Sequence, residues 1–216
     1  MVQQDVTSLT AVTHVFARDI TLHTYIKDVD FMTTPTDAMN PEETLARWRA
    51  EEAAVRARLQ TAPGVASPAQ VAGRSGLQIF QALLAGDIPP PPMAVTLDFA
   101  LLRIEPGFAV FQGQPGFSHY NPMGTVHGGW FATMLDSAMG CAVHSTLPAG
   151  KAYTTLELKL NLVRALTDAV SLVRAEGRLV HGGRQVATAE GRLVGPDGRL
   201  YAHASTTCLV FDQALR

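Results

Sequence analysis

One stretch constrains the fold more than any other. From about residue 128 to 145 the chain is almost wholly apolar, and "FATMLDSAMGCAV" (131–143) carries a single charge, Asp136. Phe131, Met134, Leu135, Ala138, Met139 and Ala142 recur there at helical spacing. On either side the period is that of strands. Two strand-like runs precede the helix, in "VTLDFALLRIEPGFAVFQGQP" around the turn "EPG". Four follow it: "AYTTLELKLNLVRAL", "AVSLVRAEGRLVHGG", "RQVATAEGRLVGPDG" and "RLYAHASTTCLVF", with turns at "HGGR" and "PDGR". Leu156, Leu158, Leu160 and Leu162 alternate with Glu157, Lys159 and Asn161, which predicts one leucine-bearing face. One long apolar helix among about six strands must bury itself on a sheet that wraps it. The expected fold class is therefore α+β with an antiparallel sheet.

Upstream, Asn40 is placed to cap a helix. Pro41 takes the first helical position, and Glu42 and Glu43 occupy the first turn. Leu45, Trp48, Val55 and Leu59 give that helix, at about 41–60, an apolar stripe. Residues 61–76 read as a linker from their Pro, Gly and Ser content. "GLQIFQALLAG" predicts a short helix ended by Gly86, and "DIPPPPMA" an extended connector. Residues 1–38 are weakly patterned, with strand-like content in "DITLHTYIKDV", and Met39 is a plausible alternative chain start. The expected organisation is an N-terminal extension over 1–74 and a main domain over 75–216.

Hydrophobic residues make up 47% of the chain, enough for a substantial core, whereas charged residues make up only 17%. So little charge leaves surface to be covered, and burial between subunits is one way to cover it. The net charge is −2 with Lys and Arg scattered, which argues against a nucleic-acid partner. Cys141 and Cys208 lie far apart in apolar segments, consistent with reduced thiols. No basic segment followed by an apolar run opens the chain, and no stretch of about 18 apolar residues could span a bilayer. A cytoplasmic protein without a membrane partner is expected.

Asp136 is a poor residue for the middle of a helix and costly to bury unpaired. At helical spacing its face also carries Gly129, Ala132, Gly140 and Val143, small enough for something to approach closely. Just ahead stands "HGG" (127–129). Backbone N–H groups at a helix start lack intrahelical partners, and glycines let a substrate oxygen reach them. That is the geometry of an oxyanion hole. Gly128 and Asp136 are eight residues apart, roughly 12 Å along the axis, too far to serve one carbon in one chain. A symmetric dimer resolves this if Asp136 of one chain faces Gly128 of the other. The histidines match no common metal pattern, so no metal is expected.

The whole pattern N-x5-HGG-x6-D (Asn121, His127, Gly128, Gly129, Asp136) resembles the motif of hotdog-fold acyl-CoA thioesterases of the PaaI-like group. "GLQIFQALLAGDIPPPP" and "TTLELKLNLVRAL" are similar to that family too, so the resemblance covers about residues 75–211. It implies a curved antiparallel sheet wrapped around one central helix, with dimers or tetramers and active sites between subunits. An N-terminal helical extension is then this chain's addition. The resemblance makes Asp136 the nucleophile or general base and the Gly128 N–H the group that polarises the thioester carbonyl. Asn121 would orient water or the carbonyl, and His127 would place the thioester. Gly129 and Thr155 would support the site. CoA would enter only as part of the substrate, with no separate cofactor.

Three further residues are candidates for substrate binding. Trp130 departs from the smaller residue usual in the family; it would shorten an acyl tunnel, stack on an aromatic acyl group or pack under the N-terminal helix. Arg164 and Arg184, at a strand end and a hairpin turn, could meet CoA phosphates. A hotdog domain that binds acyl-CoA without hydrolysing it is the alternative function. The lone carboxylate weighs against it, since a pure binder needs none there. The acyl group is left open.

Overall fold

The structure, a computed structural model, describes residues 40–213. The strand-like reading within 1–38 and the alternative start at Met39 lie outside them. The described residues form one compact unit. In chain order they give helices α1 (Pro41–Arg56), α2 (Pro68–Val71), α3 (Gly76–Ala85) and α4 (Pro92–Thr96), then strands β1 (Phe99–Glu105) and β2 (Phe108–Gly113). A short 3-10 turn (Phe117–His119), helix α5 (Gly128–His144) and strands β3 (Lys151–Leu162), β4 (Val173–Gly182), β5 (Val186–Val194) and β6 (Leu200–Asp212) follow. The strands make a single antiparallel sheet in the order β1-β2-β4-β5-β6-β3. This is the hotdog arrangement, with α5 held in the hollow of the sheet.

The helix lies against the strands almost without intervening side chains. Met134, Leu135, Ala138, Met139, Ala142 and Val143 are fully buried. Opposite them, glycine stands where a side chain would collide. A Cβ on Gly177 of β4 would come within 2.3 Å of the Ala138 backbone. One on Gly191 of β5 would meet Met139 and Leu135 at about 3 Å, and one on Gly113 of β2 would meet Trp130 at 2.9 Å. Bulges in β1, β3 and β4 interrupt the ladders. An extra residue bends its strand and increases the twist, which suits a sheet that must curl around a helix.

Several expectations need correction. The connector "DIPPPPMA" is extended only as far as Pro91, and the helix expected over about 41–60 ends at Arg56, which leaves Leu59 beyond it. Strand β1 begins at Phe99 rather than Val95, because Pro92 opens α4, which runs to Thr96. Proline at N1 brings a preset φ, and the N–H it lacks would be unpaired there anyway. The leucine alternation of β3 is broken by a bulge between Thr155 and Glu157. Leu156 is the extra residue and is 60% exposed, while Leu158 and Leu160 pack on the core. Ahead of the bulge, Tyr153 and Thr155 turn towards α5.

Helix α1 starts as the sequence predicts, with Asn40 and Glu43 closing a reciprocal capping box behind Pro41. It covers the outer face of the sheet at β1, β2 and β4. Gln112, fully buried, donates to the Trp48 carbonyl at 3.2 Å and to Glu52 at 2.6 Å. Arg174 donates to Gln112 at 2.8 Å, pairs with Glu51 and lies 4.3 Å over the Trp48 ring. With α5 on one side and α1 on the other, every residue of β2 is buried.

The segment 61–76, read as a linker from composition, is built into this unit. Gly64 N–H donates to the Pro90 carbonyl, Gln70 donates to Asp87, and Gly76 N–H donates to Leu147. Gly86 ends α3 at φ 87°, as its position predicts.

Gly177→Ala is expected to lower stability by about 3 kcal/mol, the upper range for overpacking, because the clash is with backbone that cannot rotate away. Denaturant unfolding would measure it. His144 at the end of α5 packs between Phe80 and Tyr153, at ring distances of 5.3 and 5.4 Å. Burial lowers its pKa. A histidine whose folded pKa is depressed contributes stability that is complete above its unfolded pKa and is lost as pH falls from there through the folded value. Stability should therefore decline below about pH 6.5. The urea midpoint of His144→Gln should fall less steeply with acid than that of the wild type.

Candidate active site

The site begins with α5 and its neighbour β3, which run alongside each other in opposite directions. A Cβ on Gly128 would sit 3.1 Å from Leu162, and one on Gly140 would sit 2.4 Å from the Tyr153 hydroxyl. Between these ends, Thr155 Oγ1 donates to Asp136 Oδ1 at 2.9 Å. The bulge at Leu156 sets this contact, because it keeps Thr155 facing the helix. Asp136 is half-buried, and its Oδ2 has no hydrogen-bond partner among the described residues. One carboxylate oxygen is held and the other is available.

Asp136 lies on the wall of a cavity of about 450 Å³. Ser137, Cys141 and Tyr153 line it on the same side, and α3, α4, β1 and β2 contribute Phe80, Leu83, Ala94, Phe99 and Phe111. Burial, reinforced by the nearby Asp136 charge, pushes the Cys141 thiol far up. Cys141 is thereby kept protonated and is no rival nucleophile. Burial first, and then the neighbouring negative groups, raise the Tyr153 phenol well above its ordinary value. Asp136 is the ionisable side chain of this wall suited to base chemistry.

The start of α5 forms a second, smaller hollow of about 280 Å³, lined by Asn121, Gly128, Leu162 and Arg164 among others. Val126 N–H bonds to the Leu166 carbonyl at 2.9 Å and fixes the approach to the helix. His127 is the N-cap: its Nδ1 accepts from Gly129 N–H at 2.9 Å. A neutral His127 that accepts at Nδ1 carries its proton on Nε2. The Gly129 N–H is thus occupied, whereas the Gly128 N–H has no hydrogen-bond partner among the described residues.

The candidates fall into groups. Asp136 and Thr155 are joined, and Asn121, Gly128 and Arg164 meet in the second hollow. Within one chain Asp136 and the Gly128 group line different hollows. Asn121 is committed to its own loop: it accepts from Met123 N–H at 2.8 Å and donates to Thr125 Oγ1 at 2.9 Å. Trp130 is 3% exposed and donates to the Leu97 carbonyl at 2.9 Å, stacked on His119. It is a packing residue absent from the lining of the large cavity, so neither the tunnel nor the stacking reading describes its place. Arg184 is exposed in the turn between β4 and β5. Tyr153 was missed by sequence reasoning. Only the tertiary fold sets it against Gly140 of α5, so the sequence carried no signal for it.

Among the described residues no three His, Cys, Asp or Glu side chains cluster as metal ligands would, and no helix is long and apolar enough to cross a membrane.

Residues 123–202 match the family model of the thioesterase superfamily. No curated protein matches the chain. Solved structures do. A phenylacetic acid degradation-related protein of Ralstonia eutropha JMP134, assigned as a thioesterase, shares 32% identity over 60% of this chain and 98% of its own, with a TM-score of 0.56. A conserved protein of Pseudomonas aeruginosa shares 26% over 56% of this chain and 94% of its own, with a TM-score of 0.52. The E. coli PaaI protein, from the phenylacetic acid degradation operon, shares 18% over 56% of this chain and 86% of its own, with a TM-score of 0.51; this last likeness shows the fold alone. The fold, the family-model match and 32% identity to the Ralstonia protein over 98% of its length together make the chain a member of the thioesterase superfamily, of the PaaI-like hotdog type, and a thioester hydrolase.

Proposed function

We propose that this protein hydrolyses acyl-CoA thioesters to free acid and CoA, at sites each built from two copies of the chain. The observation that carries the reading is the half-buried Asp136, held at one oxygen by Thr155 and lining a largely apolar cavity. Asp136 acts as general base. It takes a proton from a water whose oxygen attacks the thioester carbonyl carbon. The carbonyl oxygen gathers charge and is met by the N–H of the partner's Gly128, aided by the positive end of that helix. Collapse of the tetrahedral species breaks the C–S bond, and CoA leaves with the proton that Asp136 received.

The pairing has a physical basis. Strand β3 is twelve residues long and stands at the edge of the sheet. Leu156 and Leu162 are more than half exposed on it. A long edge strand with apolar side chains favours a second strand beside it. Asp136 adjoins Thr155, and Gly128 adjoins Leu162. An antiparallel β3–β3 pairing centred near Leu158 sets Thr155 close to the partner's Leu162. The same register brings Asp136 towards the partner's Gly128. His127 Nε2 and Arg164 then flank the path of the pantetheine arm and phosphates, with Arg184 as a second phosphate contact. A free acyl-CoA substrate fits a cytoplasmic homodimer, or a tetramer of such dimers.

Thiol release from a panel of acyl-CoAs tests the reading. Asp136→Asn, folded as the wild type is, should lower kcat by roughly 10²–10⁴-fold, the range for loss of a general base. A wild type that binds acyl-CoA but hydrolyses no member of the panel would sink it. Thr155→Val removes the hydrogen bond to the carboxylate. It should lower kcat/KM by about 10- to 100-fold, from the usual worth of a bond to a charged group.

A further inference from the structure

The large cavity has a wall that the family match does not account for. Besides α3, α4, α5, the sheet and the segment between α3 and α4, it is lined by Arg56, Leu59, Thr61 and Pro63, from the end of α1 and the connection to α2. These residues precede the stretch of about 75–211 that resembles the family, and lie outside the matched residues 123–202. We infer that this N-terminal appendage forms part of the acyl pocket and sets which acyl chains the enzyme accepts, favouring uncharged chains of medium length. The inference rests on the assignment of Asp136 to the active site.

The wall is fixed in place. Gly86 packs so tightly against it that a Cβ there would come 2.3 Å from the Arg58 carbonyl oxygen. Arg58 Nε donates to the Leu84 carbonyl at 2.9 Å, and Gly64 N–H to the Pro90 carbonyl at 3.0 Å. Both acceptors belong to residues that also line the cavity. Further back, Gln112 and Arg174 anchor α1 on the sheet. The connection therefore keeps its position over the cavity without help from a ligand.

Its chemistry defines the guest. Leu59, Phe80, Leu83, Phe99 and Phe111 offer hydrocarbon. The cation of the wall, Arg56, is already paired with Glu52 at 2.6 Å and Asp98 at 2.7 Å. No free charge on that wall is offered to an acyl carboxylate or ammonium. The volume falls within the range of pockets that bury most of a small ligand, and a very short acyl group would leave much of it wet.

The test uses the full chain and straight-chain acyl-CoAs from acetyl to palmitoyl, with kcat/KM read from thiol release. Thr61 stands exposed at the rim, so Thr61→Trp adds bulk without disturbing the core. It should lower the ratio of kcat/KM for the longest accepted chain to that for the shortest by about 10-fold, the scale of a methylene-sized misfit. Leu59→Ala enlarges the wall and should move the optimum to longer chains. Each variant reads the inference in its own direction, so either one decides it if the other is poorly folded. An active enzyme with both profiles like the wild type would overturn the inference and leave the thioesterase site standing. A wild type inactive on every chain overturns the active-site assignment, and the inference with it.

Discussion

The near-contact between the backbone of α5 and the strands beneath it governs the rest of the molecule. At Gly177 the separation leaves no room for even a methyl group, and at Gly191 and Gly113 side chains of the helix fill the space. So close an approach buries the apolar face of the helix completely. It also determines where the remaining face of α5 can lie. That face meets β3 and the cavity, and Asp136 is on it. A helix held a few ångströms further out would lose both its packing and the hydrogen bond from Thr155.

The same economy shapes the wall that carries Asp136. A single extra residue in β3 turns Thr155 towards Asp136 and sends Leu156 outwards. One irregularity thus orients the carboxylate and leaves an apolar side chain on the exposed edge strand, the edge that the proposed dimer covers. In the proposed mechanism the two consequences need each other. The base of one chain lacks its electrophilic partner until the edge is covered.

Much of the fold was legible from periodicity. The helical stretch around Asp136, the later strands, the Asn40 cap and the Gly86 stop are local signals, each written within a few residues. Less was legible of the site. The pattern Asn121, His127, Gly128, Gly129 and Asp136 pointed to the helix start and to the carboxylate. It could not show that Asn121 is engaged by its own loop, or that Trp130 is locked into the core by the Leu97 carbonyl. The leucine alternation in β3 misled at Leu156, because a bulge resets the period without altering the composition.

The appendage marks the divide most clearly. By itself the sequence determined a capped amphipathic helix, a segment rich in Pro, Gly and Ser, and the order of elements after it, since these follow from backbone preference and side-chain spacing. Only the tertiary structure decided that the segment is no free linker but one wall of the cavity beside Asp136. That outcome depends on hydrogen bonds and packing between residues far apart in the chain, such as Arg58 with Leu84, Gly64 with Pro90 and Gln112 with Trp48. Such pairings leave no periodic trace in either partner.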